Sequence, residues 1–149
     1  MLMRRVLAND RISMDKWDGY PAARARLLAG MAERRIANPV ILSGDLHNAW
    51  AGEVAAAEDG PPAATEFTAS SISSGGDGSE VLPGTPAMLA RNPHIRFFNN
   101  RRGYCLHEAA ADRLETTFRV VSFVTQPGAA REDRARFIVE AGRPGLIPG

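Results

Sequence analysis

The chain has 149 residues, of which 44% are hydrophobic and 23% charged, and its formal net charge is +1. This length suits one domain with a core of its own, and the near-zero charge provides no strong attraction to nucleic acid or to an anionic membrane. Cys105 is the only cysteine, which excludes an intrachain disulfide, and no run of 18 apolar residues predicts a transmembrane helix.

The first ten residues, MLMRRVLAND, have neither the long apolar segment nor the cleavage site of a signal peptide. Residues 4–8 can form a short strand that begins abruptly, as if more protein preceded it. A helical pattern covers 22–37. Pro21 suits the first turn of this helix, and Asn38-Pro39 is expected to end it.

The apolar segment 40–43 follows the helix and is typical of a strand that is buried in an α/β sheet. A short helix is predicted over 86–91, a hairpin turn at 111–113 and a mobile loop over 73–84, whereas the tail from Gly142 is expected to fray. The other predicted strands are 49–57, 66–72, 95–98, 104–109, 114–123 and 136–140. The fold class is therefore α/β with a large antiparallel share.

Asp45 and His47 directly follow the apolar strand and its Gly44 turn, in the segment LSGDLHNAW. In an extended chain, residues i and i+2 point to the same side, with Cβ atoms about 6–7 Å apart. Paired metal ions lie about 3.5–4 Å apart, so the two side chains can each bind one ion or converge on one. Carboxylate suits calcium or magnesium, and imidazole suits zinc or iron.

A structural role for these two residues stays open at this point. The pattern G-D-x-H fixes only three positions, and a histidine near a strand end commonly just donates or accepts a hydrogen bond. One Asp and one His are also too few ligands for a complete metal site.

Several further motifs adjoin this pattern in a fixed order. The long stretch DKWDGYPAARARLLAGMAERRIANPVILSGDLHNAWAGEV is followed by TEF, SSISSGG and NPHIRFFNNRRGY, and then by the closing hairpin. Together they resemble the PhoD-like alkaline phosphatases of the metallophosphoesterase superfamily, over nearly the whole chain.

The resemblance implies a four-layer α/β/β/α sandwich with an iron and calcium cluster at the strand ends. Such enzymes hydrolyse phosphomonoesters and phosphodiesters and are exported proteins. Asp45 and His47 occupy the family's last metal motif, where other metallophosphoesterases have G-H-x-H. By the resemblance, Asp45 would bind the calcium-type ion and His47 the iron-type ion.

The family's earlier metal motifs have no counterpart here, namely an acidic strand end, a G-D-x-x-D-like segment and an Asn-containing segment. Residues 1–149 are therefore predicted to be the C-terminal part of a PhoD-like domain, with the N-terminal half absent and the chain inactive alone. The alternative is a non-catalytic truncated or split module. Such a module would dock onto a separate N-terminal half or self-associate through an exposed sheet edge.

Four further residues are possible metal or substrate contacts. Asp18, in the W-D-G-Y-P motif, is either a contact or a helix cap beside aromatic residues that fasten the helix to the sheet. His94 either reaches the rim of the site or bonds within its loop. Arg101 and Arg102 either bind phosphate or pair with acidic neighbours. His107 is expected to be structural.

Overall fold

The computed structural model describes residues 1–3, 15–57 and 60–149. Within these ranges the chain forms eight strands, two α-helices and a 3-10 helix at Trp17–Gly19. The strand predicted at 4–8 lies outside the described residues. None of the described helices has the length and apolar content to cross a membrane.

The first sheet contains β1 (Val40–Ser43), β2 (Ala49–Ala55), β3 (Pro62–Thr68) and β4 (Ile95–Asn99), in the order β1-β3-β2-β4. β1 and β3 are parallel, whereas β2 is antiparallel to both β3 and β4. The carboxyl ends of β1, β3 and β4 therefore meet the amino end of β2 at one edge of the sheet. This edge carries the candidate site.

Two helices, α1 (Pro21–Glu33) and α2 (Thr85–Arg91), cover one face of the first sheet. Because side chains alternate along a strand, Trp50 and Val54 of β2 point toward the helices, while its small residues point the other way. The buried residues beneath the helices are Leu2, Met3, Leu28, Trp50, Val54, Ala64, Ile95 and Phe98.

The second sheet packs on the opposite face of the first and is antiparallel throughout. Its strands, in spatial order, are β5 (Arg102–Ala109), β6 (Arg113–Val121), β7 (Arg131–Glu140) and β8 (Ile147–Pro148). The buried residues between the sheets are Ala49, Ala51, Phe67, Phe118, Phe137, Val139 and Leu146. The described residues thus form a helix layer and two sheets, which confirms the mixed α/β class with its antiparallel share.

Helix α1 ends earlier than the pattern predicts, at Glu33 instead of residue 37. Arg35 takes a left-handed conformation (φ 50°), its N–H donates to the Ala32 carbonyl, and the N–H of Ile36 donates to the Met31 carbonyl. These are the two hydrogen bonds of a Schellman motif, in which glycine is the usual residue. Because arginine and not glycine stands at this position, the end of the helix is not evident from the sequence. Ile36, which lies beyond the helix end, is 50% exposed.

Three other predictions need correction. β1 is an edge strand among the described residues, with Leu42 57% exposed, and is not buried on all sides. β7 starts at Arg131, five residues before the predicted strand. The tail does not fray, because Leu146 is buried, β8 pairs with β7 and the N–H of Gly149 donates to the Arg136 carbonyl. The helix near 86–91, the strand near 95–98 and the hairpin around 111–113 are confirmed.

Candidate metal centre

The turn from Gly44 to Asn48 connects β1 to β2 at the edge where the parallel strands end. Asp45 and His47 both take left-handed conformations, with φ values of 74° and 59°, and both side chains are exposed. The extended i, i+2 geometry predicted for them is therefore wrong. Non-glycine residues are uncommon in this conformation, which costs each of them about 1–2 kcal/mol, and they cluster at functional sites.

Side chains from other segments hold this turn. The His47 carbonyl accepts hydrogen bonds from Arg102 Nη1 (2.6 Å) and from Ser70 Oγ (3.2 Å). The indole N–H of Trp50, a core residue of β2, donates to the side-chain oxygen of Asn48. The turn is thus fixed at its end, while the Asp45 and His47 side chains face solvent.

Arg101 and Arg102 follow β4 at the same edge, but they have different surroundings. Arg101 Nε lies 2.6 Å from Glu80 Oε1 in a partly exposed ion pair. Glu80 also accepts hydrogen bonds from Asn99 (2.9 Å) and Arg134 (2.7 Å). Desolvation opposes the ionisation of Glu80, but Arg134 and Arg101 outweigh it and lower its pKa. The carboxylate is therefore the shared anchor of both arginines.

Arg102 is 2% exposed and faces inward. Its guanidinium donates to carbonyl, amide and hydroxyl oxygens of the surrounding loops. This placement suits a structural clamp and not an exposed substrate contact.

His94 does not join these residues. It precedes β4, next to the opposite end of the sheet, and its carbonyl accepts the N–H of Glu53 (2.9 Å). The length of β4 separates that end from the Asp45 edge by about 14 Å, at about 3.4 Å per residue. His94 is thus placed away from the candidate centre.

Asp18 lies half-buried in the 3-10 helix before α1. It is not the cap of α1, because the N-cap residue is Tyr20, which makes no side-chain capping bond. Tyr20 is 65% exposed and so does not fasten the helix to the sheet. His107 has the predicted structural role: its Nδ1 lies 2.9 Å from Thr116 Oγ1, and burial lowers its pKa.

Sequence reasoning missed several polar residues around the centre. Ser70 and Asn99 stand at or just beyond strand ends and bind the backbone of the Arg101 segment. Glu66 is fully buried on β3, where it accepts the N–H groups of Leu2 (2.8 Å) and Met3 (2.6 Å) and the hydroxyl of Ser43 (2.7 Å). In the sequence, these residues are marked only by being polar residues within or next to an apolar strand, which does not indicate their contacts.

The side chains of Asp45 and His47 carry chemical groups that can bind a metal ion. A carboxylate oxygen and an imidazole nitrogen are both common metal ligands, and both are exposed at an anchored strand end. In the described part of the chain, however, no group of three or more His, Cys, Asp or Glu side chains is placed to hold an ion. Asp45 and His47 can therefore supply part of a coordination sphere.

Comparison with known proteins places this arrangement in a family. Residues 1–118 match the sequence model of the PhoD-like phosphatases. The chain belongs to the PhoD-like phosphatase family. The resemblance seen in the sequence motifs is confirmed.

Two relatives support the assignment. Alkaline phosphatase D of Bacillus subtilis (strain 168) is 39% identical over 137 residues, which cover 90% of this chain and 24% of the relative. A solved structure described as "Structure of PhoD" superposes with a TM-score of 0.92 at 34% identity, over 99% of this chain and 30% of that one. The PhoD-like chain thus spans about a quarter of the length of the curated relative.

Proposed function

We propose that this PhoD-like chain contributes to a metal-dependent phosphoester hydrolase that acts on phosphomonoesters and phosphodiesters. The observation that carries the proposal is the anchored turn, which exposes Asp45 and His47 at the sheet edge where strands β1 and β3 end. Family membership supports the phosphatase activity, and the donor types support the metal dependence.

Asp45 would bind a hard ion such as calcium through its carboxylate, and His47 would bind an iron-type ion through its imidazole. Bound metal ions polarise a phosphoester and neutralise the charge that develops during its hydrolysis. The chain's own residues orient these ligands: Asp45 and His47 take left-handed backbone conformations, and the hydrogen bonds from Arg102 and Ser70 to the His47 carbonyl fix the turn.

We further propose that residues 1–149 are the C-terminal part of the catalytic domain. Two findings support this: the chain spans 24% of the curated relative, and the described residues supply two donors where catalytic metal sites use three or more. The remaining ligands would come from an N-terminal half that precedes this part in the relatives.

The test is hydrolysis of p-nitrophenyl phosphate and of its bis-ester by the purified chain with calcium and iron. We expect no turnover by the wild-type chain above that of a His47→Ala control. Turnover by the wild-type chain that is lost in His47→Ala would contradict the proposal that the site is incomplete, but it would support His47 as a metal ligand. Turnover that is equal in both proteins and clearly above the buffer rate would contradict His47 as a ligand.

A second candidate function is a non-catalytic module that docks onto a separate N-terminal half. Among the described residues β1 lies at the edge of its sheet with Leu42 exposed, and this favours the docking module, because an edge strand with apolar side chains is a ready pairing surface. Self-association of the isolated chain is then expected. Size-exclusion chromatography with light scattering tests this, and a monomer with a single cooperative melting transition would contradict it.

A further inference from the structure

Arg102 is the point where three segments of the candidate site meet. Its Nη1 donates to the carbonyl oxygens of His47 (2.6 Å) and Ser74 (2.8 Å) and to Ser71 Oγ (2.9 Å). Its Nη2 donates to the carbonyl and to the side-chain oxygen of Asn100. One guanidinium thus joins the β1–β2 turn, the loop of residues 70–79 (the Ser/Gly loop) and the turn between β4 and β5.

The Ser/Gly loop fits closely around this guanidinium. A Cβ atom at Gly78 would lie 2.7 Å from Nη2, and one at Gly75 would lie 3.5 Å from Nη1. Both glycines have positive φ values, 74° and 87°, which side chains rarely adopt. The glycines therefore allow the loop backbone to approach the arginine.

The environment favours arginine over lysine at this position. Burial removes water from the guanidinium and lowers its pKa, so its N–H groups depend on protein acceptors. The planar fork reaches acceptors in different directions from two nitrogens, whereas a lysine ammonium donates from a single atom.

The His47 turn needs such an external restraint. A left-handed conformation costs an L-residue about 1–2 kcal/mol, and the turn contains two of them, at Asp45 and His47. The carbonyl of His47 is held by the Arg102 fork and, at a longer distance, by Ser70. Releasing that carbonyl would let the backbone relax and the imidazole change direction.

We infer that Arg102 is a positioning residue for the metal ligand His47, acting through the His47 carbonyl and not by contact with substrate. The inference rests on the proposed metal site, but its conformational part concerns the metal-free chain. A hydrogen bond from a neighbouring group commonly fixes the orientation of a histidine ring that binds a metal. The buried guanidinium would fix His47 in a similar way, through its backbone carbonyl.

The first test is the backbone conformation of His47 in the metal-free chain, read from ¹³C chemical shifts. In Arg102→Lys we expect the Cα and carbonyl shifts of Asp45 and His47 to move away from their left-handed values. Arg96→Lys is the matched control, because Arg96 lies in the preceding strand β4 and pairs with Glu53 at an exposed site, away from the His47 carbonyl. Unchanged His47 shifts in Arg102→Lys would overturn the inference.

Ser70→Ala keeps the test decisive if Arg102→Lys does not fold. It removes the second donor to the His47 carbonyl while leaving the buried guanidinium in place. We expect smaller shift changes in the same direction at His47. Complete loss of the left-handed shift values in that variant, with Arg102 still in place, would show that Ser70 and not Arg102 holds the turn, and would overturn the inference.

The second test is titration with Zn²⁺, which accepts both carboxylate and imidazole ligands. Loss of an outer-shell partner typically weakens metal binding by about 10–100-fold, and we expect a loss in this range for Arg102→Lys but not for Arg96→Lys. Wild-type affinity in Arg102→Lys, with altered His47 shifts, would overturn the positioning role. Equal Zn²⁺ binding by wild type and His47→Ala would instead refute the proposed metal site, and the shifts alone would then decide whether Arg102 holds the turn.

Discussion

Asp77 attaches the Ser/Gly loop to the second sheet through one carboxylate. Its Oδ1 accepts the N–H groups of Val124 (2.7 Å) and Thr125 (2.9 Å), and its Oδ2 accepts the Thr125 hydroxyl (3.0 Å). The N–H of Val124 lowers the pKa of Asp77 most; desolvation opposes this shift, and the bonds from Thr125 add to it. The loop that composition predicts to be mobile is therefore anchored beside the β6–β7 connection.

The lowered pKa of Asp77 predicts a pH-dependent contribution to stability. The folded chain binds this proton more weakly than the unfolded chain, so the contribution is complete above the ordinary pKa of 3.8 and is lost as pH falls through the lowered value. We expect Asp77→Asn to lower the melting temperature at pH 7, with the difference from wild type narrowing below about pH 4. Thermal melts between pH 3 and pH 7 measure this.

Asp112→Asn is the control for that experiment, because Asp112 is an exposed residue whose side chain pairs with the neighbouring Arg113. Its effect should be small at every pH. A difference between Asp77→Asn and wild type that is the same at pH 3 and pH 7 would contradict the role of the Asp77 charge.

Two glycines of the Ser/Gly loop allow the cost of backbone strain to be measured separately from that of steric overlap. Gly76 and Gly78 both have positive φ, 68° and 74°. A Cβ at Gly76 would meet no heavy atom within 4 Å, whereas one at Gly78 would overlap the Asn100 carbonyl oxygen and crowd Arg102. The same substitution at the two sites therefore differs mainly in its contacts.

We expect Gly76→Ala to reduce the free energy of unfolding by about 1 kcal/mol, through conformational strain alone. Gly78→Ala should cost about 2–4 kcal/mol, because overpacking adds to that strain. Urea denaturation of the three proteins measures both values. Equal losses at the two glycines would show that the loop does not pack around Arg102 as described.

The sequence predicts elements well where the pattern is local and poorly where distant contacts decide. Helix α2 and the β5–β6 hairpin follow from short-range signals and are confirmed. The turn that contains Asp45 and His47 is hydrogen-bonded by Arg102, 55 residues beyond His47, and a local pattern does not reveal this contact, so the predicted extended geometry was wrong. Likewise, the apolar composition of β1 does not reveal which strands lie beside it.

At the scale of the whole molecule, aromatic side chains join the two sheets. The ring of Phe118 in β6 lies 4.7 Å from that of Phe97 in β4 and 6.2 Å from those of Phe67 and Phe137, measured between centroids. Phe118 is almost completely buried. The packing of one sheet on the other, and with it the edge that carries the turn, depends on this cluster.

We expect Phe118→Ala to reduce the free energy of unfolding by about 3–5 kcal/mol, which is the usual cost of emptying a buried phenylalanine site. The exposed Ile72→Ala should stay within about 0.5 kcal/mol of wild type. Calorimetry measures both. A loss below about 1 kcal/mol in Phe118→Ala would contradict a shared core between the sheets.

We propose above all that Asp45 and His47 supply metal ligands at the β1–β2 turn. Anomalous diffraction from crystals of the chain grown with Zn²⁺ tests it most directly. We expect a peak about 2.0–2.1 Å from the His47 imidazole nitrogen, and its loss in His47→Ala. A wild-type map without a peak at His47, or a peak that persists at this position in His47→Ala, would contradict it.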